Sequence, residues 1–150
     1  MSRFRVVKDT REQKGWTFEE TDYCEGQDLS KLDTGDYTIR GLEDILCIER
    51  KANIGELAAN LVSARFDKEL ERMMNYKYRY LICEIDFKEI MHFPNNMPPT
   101  IRYKIKTSNT FLLKRINEIG LDINVVFVGK YGKEYTLSLF KRLWERYLKA

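Results

Sequence analysis

Asp36, Glu49 and Lys51 are the residues of this chain whose types and spacing could do chemistry together. They lie in Gly35-Asp36-Tyr37-Thr38-Ile39-Arg40 and Ile48-Glu49-Arg50-Lys51, on either side of Gly41–Asp44. If Gly41–Asp44 turns the chain between two strands, Arg40 pairs with Ile45 and, counting outward, Asp36 stands opposite Glu49. Facing side chains of an antiparallel pair have Cβ atoms about 4.5–5.5 Å apart, and Lys51, two residues beyond Glu49, points to the same face. Two carboxylates this close repel unless one holds a proton or a cation sits between them. A hard divalent cation such as Mg²⁺ takes oxygen ligands and keeps several waters when only one or two carboxylates bind it. Such an ion polarises a phosphoryl oxygen, and a neighbouring ammonium stabilises the charge that develops there. These are the parts of phosphodiester hydrolysis. The spacing alone serves a surface hairpin equally well, with Lys51 neutralising two exposed acids.

The residues before the hairpin add to the cluster. Phe4–Lys8 reads as a short strand ending in Asp9-Thr10-Arg11-Glu12, and polar residues at a strand end are a usual place for chemistry in α/β folds. Asp9 and Glu12 could supply further ligands or hold a second ion about 3.5–4 Å from the first. The plain alternative is a turn begun by Asp9 with Arg11 paired at the surface.

The elements that must position these groups follow from periodicity. Residues 15–30 read as a polar loop anchored by Trp16 and Phe18. Ala58, Val62, Phe66, Leu70 and Met73 recur at helical spacing and predict one long helix over 56–76. Tyr80–Ile85 is nearly continuous in apolar residues, as a buried central strand would be. Residues 87–108 contain Pro94, Pro98 and Pro99 and are the least regular part. Within them Ile101, Tyr103 and Ile105 alternate with Arg102, Lys104 and Lys106, which predicts an edge strand or arm with one basic face. Ser108 caps a helix running to Ile119, Ile123–Val128 is a further buried strand, and Thr136–Leu148 is an amphipathic helix. Helices between strands imply parallel crossovers, hence an α/β fold with a mixed central sheet flanked by helices and the acids at one sheet edge.

Composition bounds the rest. The 150 residues suit one domain, and 43% hydrophobic with 33% charged residues mark a globular chain. Net charge +3 permits nucleic-acid binding without demanding it. Cys24, Cys47 and Cys83 lack zinc-like spacing and fit a reducing compartment; Cys47 and Cys83 fall in predicted strands and read as buried thiols. His92 is the only histidine, so neither histidine-based nuclease chemistry nor a Ser-His-Asp triad is supported. With no apolar leader after Met1-Ser2-Arg3 and no apolar run of membrane length, a cytoplasmic location and no membrane partner are expected.

In order and spacing, Asp9-Thr10-Arg11-Glu12, Gly35-Asp36-Tyr37, Ile48-Glu49-Arg50-Lys51 and Ser63-Ala64-Arg65-Phe66-Asp67-Lys68-Glu69 resemble the nuclease domain of the XPF family of structure-specific endonucleases, within the PD-(D/E)xK superfamily. The resemblance covers roughly residues 4–148 and implies a single-domain restriction-endonuclease-like core. It implies Asp36 and Glu49 as ligands of Mg²⁺ or Mn²⁺, Lys51 as the catalytic lysine, and Asp9 and Glu12 as supporting acids, Asp9 also near the metal. Arg11 and Arg50 would shape the site or contact phosphate, and Arg65 with Lys104 and Lys106 would grip the DNA backbone. Two positions depart from the family pattern: Gly55 stands where an acid is usual, with Glu56 one residue later, and Glu69 replaces the more frequent glutamine. The implied function is metal-dependent cleavage of branched DNA (flap, fork or junction), with a homodimer or partner subunit as possible assemblies. The alternative is a catalytically silent DNA-binding or partner-binding module of the same fold. Residues 1–150 leave no room for the helix-hairpin-helix domain such proteins often carry, so a stand-alone nuclease domain of a microbial or viral protein is expected.

Overall fold

The computed structural model describes residues 2–150. Six strands form one mixed sheet: β1 (Phe4–Lys8), β2 (Cys24–Leu29), β3 (Tyr37–Ile39), β4 (Leu46–Lys51), β5 (Tyr78–Cys83) and β6 (Asn124–Phe127). Their order is β2-β1-β3-β4-β5-β6. β1, β3 and β4 run antiparallel in succession, whereas β2 joins β1, β5 joins β4, and β6 joins β5 in parallel. The antiparallel centre needs only short turns. The parallel pairs need crossovers, which is where the helices lie.

Six helices flank the sheet: α1 (Ile54–Leu61), α2 (Ala64–Met73), α3 (Phe87–His92), α4 (Pro99–Arg102), α5 (Asn109–Gly120) and α6 (Gly132–Lys149). Side chains of β4 and β5 alternate between two cores. Cys47, Leu81 and Cys83 pack with α1, α2, α3 and α5, while Leu46, Ile48 and Ile82 pack with Phe4, Trp16, Phe18, Tyr37 and Phe140 of α6. This alternation carries Glu49 and Lys51 to the α1–α2 side and Arg50 to the other.

Several expected elements differ. The helix expected over 56–76 is two helices. Asn53 caps α1 by accepting the Glu56 N–H at 2.8 Å, and Ser63 caps α2 by accepting the Phe66 N–H at 3.3 Å. Each hydroxyl or amide oxygen satisfies an orphan helix donor, so the chain restarts at Ser63 although the apolar stripe runs on. The loop expected over 15–30 ends in β2, a polar edge strand; Trp16 and Phe18 are buried within it as expected. The basic strand expected around Arg102, Lys104 and Lys106 is absent: Pro99 opens the single-turn α4, and Lys104 and Lys106 follow it in turn and coil. Ile123–Val128 yields β6, a half-buried sheet edge rather than a buried strand. The acids sit not at a lateral edge but at the ends of the central strands β3 and β4. The three cysteines are free and buried.

Candidate active site

Four chain segments end on one side of the sheet. β1 stops at Lys8-Asp9, β3 starts after Asp36, β4 stops at Lys51 and β5 at Cys83-Glu84. Tyr37 pairs with Ile48, and one further step of that register sets Asp36 opposite Glu49. The ladder is irregular there. The Asp36 N–H donates to the Ile48 carbonyl at 2.7 Å, and the Arg50 N–H donates to the Asp36 carboxylate at 2.8 Å. One carboxylate oxygen of Asp36 therefore takes the place of a backbone acceptor, which fixes the side chain over the end of β4. Gly35 makes the approach possible. Its φ is +85°, and a Cβ there would lie 2.7 Å from Cys47 Sγ and 3.0 Å from the Ile48 carbonyl oxygen.

The three groups picked out from spacing do converge. Lys51 Nζ donates to Glu49 Oε2 at 2.8 Å, and both side chains are buried. Phe66 of α2 lies beneath the ammonium, with Nζ 4.7 Å from its ring centroid. Burial pushes the Asp36 carboxyl above the usual carboxylate range. Glu49 is raised further, first by burial and then by the Asp36 charge. Burial opposes the charge of Lys51, but Glu49 outweighs it and holds the lysine pKa above its ordinary value. Protonated at neutral pH, Lys51 donates hydrogen bonds and stabilises negative charge rather than accepting a proton.

The neighbouring residues serve different ends. Asp9 is 2% exposed. Its oxygens accept from Arg11 Nε at 2.8 Å, Arg11 Nη2 at 3.2 Å, and the backbone N–H groups of Leu32 at 2.8 Å and Arg11 at 3.1 Å. Burial works against its ionisation, but these donors keep its pKa low. Asp9 thus latches the end of β1 to the approach to β3, and it lines the same cleft as Asp36 and Glu49. Glu12 accepts from Arg50 Nη1 at 3.4 Å, and burial followed by the Asp36 charge raises its pKa. Arg50 also donates from Nε to Glu84 at 2.7 Å and lies 5.7 Å from the Trp16 ring centroid. It braces β4 against β5 from the face opposite Lys51. Glu84 was not singled out in the sequence. The signal was its position just past the buried run of β5, and its N–H bonds the Lys51 carbonyl at 2.8 Å. Glu56 accepts the Ala52 N–H at 3.2 Å, tightening the turn from β4 into α1.

Around the triad is an open cleft of about 700 Å³ whose wall includes Asp9, Arg11, Glu12, Asp36, Glu49, Arg50, Lys51, Glu56, Arg65 and Glu69. Arg65 projects from the first turn of α2 and is exposed. Lys104 and Lys106 do not line the cleft. Carboxylates outnumber cations on the wall, seven to five. Among the described residues, no group of three or more His, Cys, Asp or Glu side chains is gathered to hold a metal ion by itself.

XPF from Aeropyrum pernix in complex with DNA matches with a TM-score of 0.63 and 19% identity, over 96% of this chain and 66% of that one. XPF from Aeropyrum pernix matches with a TM-score of 0.60 and 18% identity, over 93% of this chain and 60% of that one. The chain therefore spans less than two thirds of either counterpart. No family model and no curated protein matches the sequence. A mixed sheet flanked by helices, with this order of strands, gives the chain the restriction-endonuclease-like fold of XPF from Aeropyrum pernix.

Proposed function

We propose that this chain is a Mg²⁺- or Mn²⁺-dependent endonuclease acting on structured DNA. The observation that carries the reading is the pair Asp36–Glu49, one half-buried and the other buried, set opposite each other by the strand register with Lys51 hydrogen-bonded to Glu49. Two ionised carboxylates this close repel, and a single ammonium leaves one negative charge unbalanced unless a proton or a cation is held between them. The donor set, two hard oxygens at an open cleft, fits a cation that retains several of its waters. That would also account for the lack of a third carboxylate. Asp36 and Glu49 would hold the ion, which supplies Lewis-acid activation of the phosphodiester when bound.

The remaining steps belong to the chain. Lys51 spends one donor on Glu49 and has two left to orient the incoming water or to bind a phosphoryl oxygen as charge builds on it. Phe66 and Glu49 fix its position, so little reorganisation is needed. Asp9 and Glu12 act as positioning residues, Asp9 through Arg11 and Leu32, Glu12 through Arg50. Arg11, 63% exposed at its side chain, and Arg65 stand at the mouth, where a DNA backbone would pass. Arg50 is committed to Glu84 and Glu12 and shapes the floor. A passive DNA-binding module fits less well, because the acid-rich wall would repel phosphate in the absence of a cation. That one structural counterpart is a complex with DNA supports the choice of substrate.

The test is cleavage of labelled duplex, flap, fork and four-way junction DNA with Mg²⁺, Mn²⁺ or EDTA. The wild-type chain is expected to cut a branched substrate only with metal. Asp36→Asn and Lys51→Met are each expected to lower the rate by at least about 10²-fold, the usual cost of removing a charge-stabilising group. Full activity in either variant would refute the assignment.

A further inference from the structure

The segment between α3 and α5 is unlike the rest of the chain. Its residues 93–108 carry Arg102, Lys104 and Lys106 and no Asp or Glu. Its exposed surface is also aromatic and apolar. Tyr103 is 76% exposed and Ile101 is 41% exposed, with Lys104 Nζ 5.6 Å from the Tyr103 ring centroid. The segment is anchored, not loose. Ile105 and Met97 pack on the core under α1 and α5, and two guanidinium nitrogens of Arg102 bond the Met97 carbonyl at 2.9 and 3.1 Å. Met97 reaches the start of α1, its Cε lying 3.3 Å from where a Cβ on Gly55 would stand. The next residue, Glu56, lines the cleft.

We propose that Tyr103 with Lys104 and Lys106 is a docking platform for an unpaired nucleotide strand, one base stacking on the phenol ring and the lysines meeting the flanking phosphates. A residue this exposed contributes little burial to the fold, and every base offers a π-face to its ring. Cations beside the ring provide for the backbone, which an acidic partner or a duplex surface would use without needing the aromatic. The platform lies outside the cleft but on the chain that buttresses its rim. It would therefore select DNA carrying a single-stranded arm beside the scissile duplex. This rests on the nuclease reading only for the placement of the cut; the binding itself stands apart.

The experiment is fluorescence anisotropy in EDTA, using the full chain and two labelled probes: a blunt duplex, and the same duplex with a single-stranded arm. Tyr103→Ala is expected to weaken binding of the armed probe about tenfold and of the blunt duplex hardly at all, the magnitude of one lost base stack. Tyr103→Phe should bind as the wild type does. Lys104→Ala with Lys106→Ala should weaken both probes and flatten the salt dependence of binding. Circular dichroism checks that each variant is folded. Equal binding of the armed probe by wild type and Tyr103→Ala overturns the proposal, as does a failure of the wild type to prefer that probe. If the wild type cuts no DNA with any metal yet shows the Tyr103-dependent preference, the platform stands and the nuclease reading falls. If it cuts DNA without that preference, the reverse holds.

Discussion

Lys51 and Asp36 play opposite parts in stability, which makes their joint role in chemistry testable. Asp36 adds a second, half-buried negative charge beside Glu49, whereas Lys51 offsets one. Asp36→Asn keeps an oxygen for the Arg50 N–H and is expected to stabilise the metal-free protein by about 1 kcal/mol, a rise in Tm of about 3 °C. Lys51→Met leaves two acids without their cation and is expected to cost about 3 kcal/mol. If both variants lose cleavage, unfolding cannot be the shared cause. The same pair sets the pH dependence. Both carboxyls have folded-state pKa values above the ordinary range. As pH rises from about 4, the unfolded chain releases these protons first while the folded chain retains them. The folded state then binds more protons, so stability falls with rising pH through the raised Glu49 pKa. Thermal melts of the metal-free protein from pH 4.5 to 8 should show that decline, and Asp36→Asn should flatten it. Much of this was legible in sequence. The Gly41–Asp44 turn fixes the register, and alternation then fixes the faces of Glu49 and Lys51. The same alternation sends Arg50 to the opposite face, against Trp16 and Glu84, a consequence the functional reading of Arg50 passed over. The latch at Asp9 was not legible, because its partner Leu32 is distant in sequence.

Among the elements, the hairpin of β3 and β4 carries the site, and Gly35 is its most exacting position. Ala at Gly35 must adopt a left-handed backbone and also displace Cys47 Sγ and the Ile48 carbonyl. The expected cost is about 3 kcal/mol from strain and overpacking together, read as a lower urea midpoint. Cleavage should fall as well, because Gly35 sets the direction from which Asp36 approaches β4. An unchanged midpoint would show that this close approach is not a constraint. The strands that hold apolar residues in a clear pattern, β1, β4 and β5, could be read directly. β2 could not, since Cys24 and Leu29 are its only large apolar residues and it lies at an edge where little burial is required. The break between α1 and α2 was hidden by an apolar stripe that runs through it; the competing signal was Ser63 followed by an acid-containing turn. At 101–106 a two-residue alternation favours a strand, but Pro99 starts a helical turn instead.

Across the molecule, charge is divided by region rather than by sum. The cleft wall carries more acids than bases, while residues 93–108 carry bases alone. A polyanionic substrate would be held beside the cleft and admitted to it only once a cation has offset the acids. The fold was legible at this scale because helices between parallel strands leave few alternatives. No helix of the described residues is long and apolar enough to cross a membrane. The central claim is that Asp36 and Glu49 together form a cation site, and calorimetric titration with Mn²⁺ at pH 7.5 tests it most directly. Wild type is predicted to bind Mn²⁺, and to bind it less tightly as pH is lowered, since protons compete with the ion for the raised carboxyls. Asp36→Asn is predicted to bind at least about tenfold more weakly. Wild-type protein that takes up no Mn²⁺ at millimolar concentration, or an Asp36→Asn variant that binds it equally well, would contradict the account.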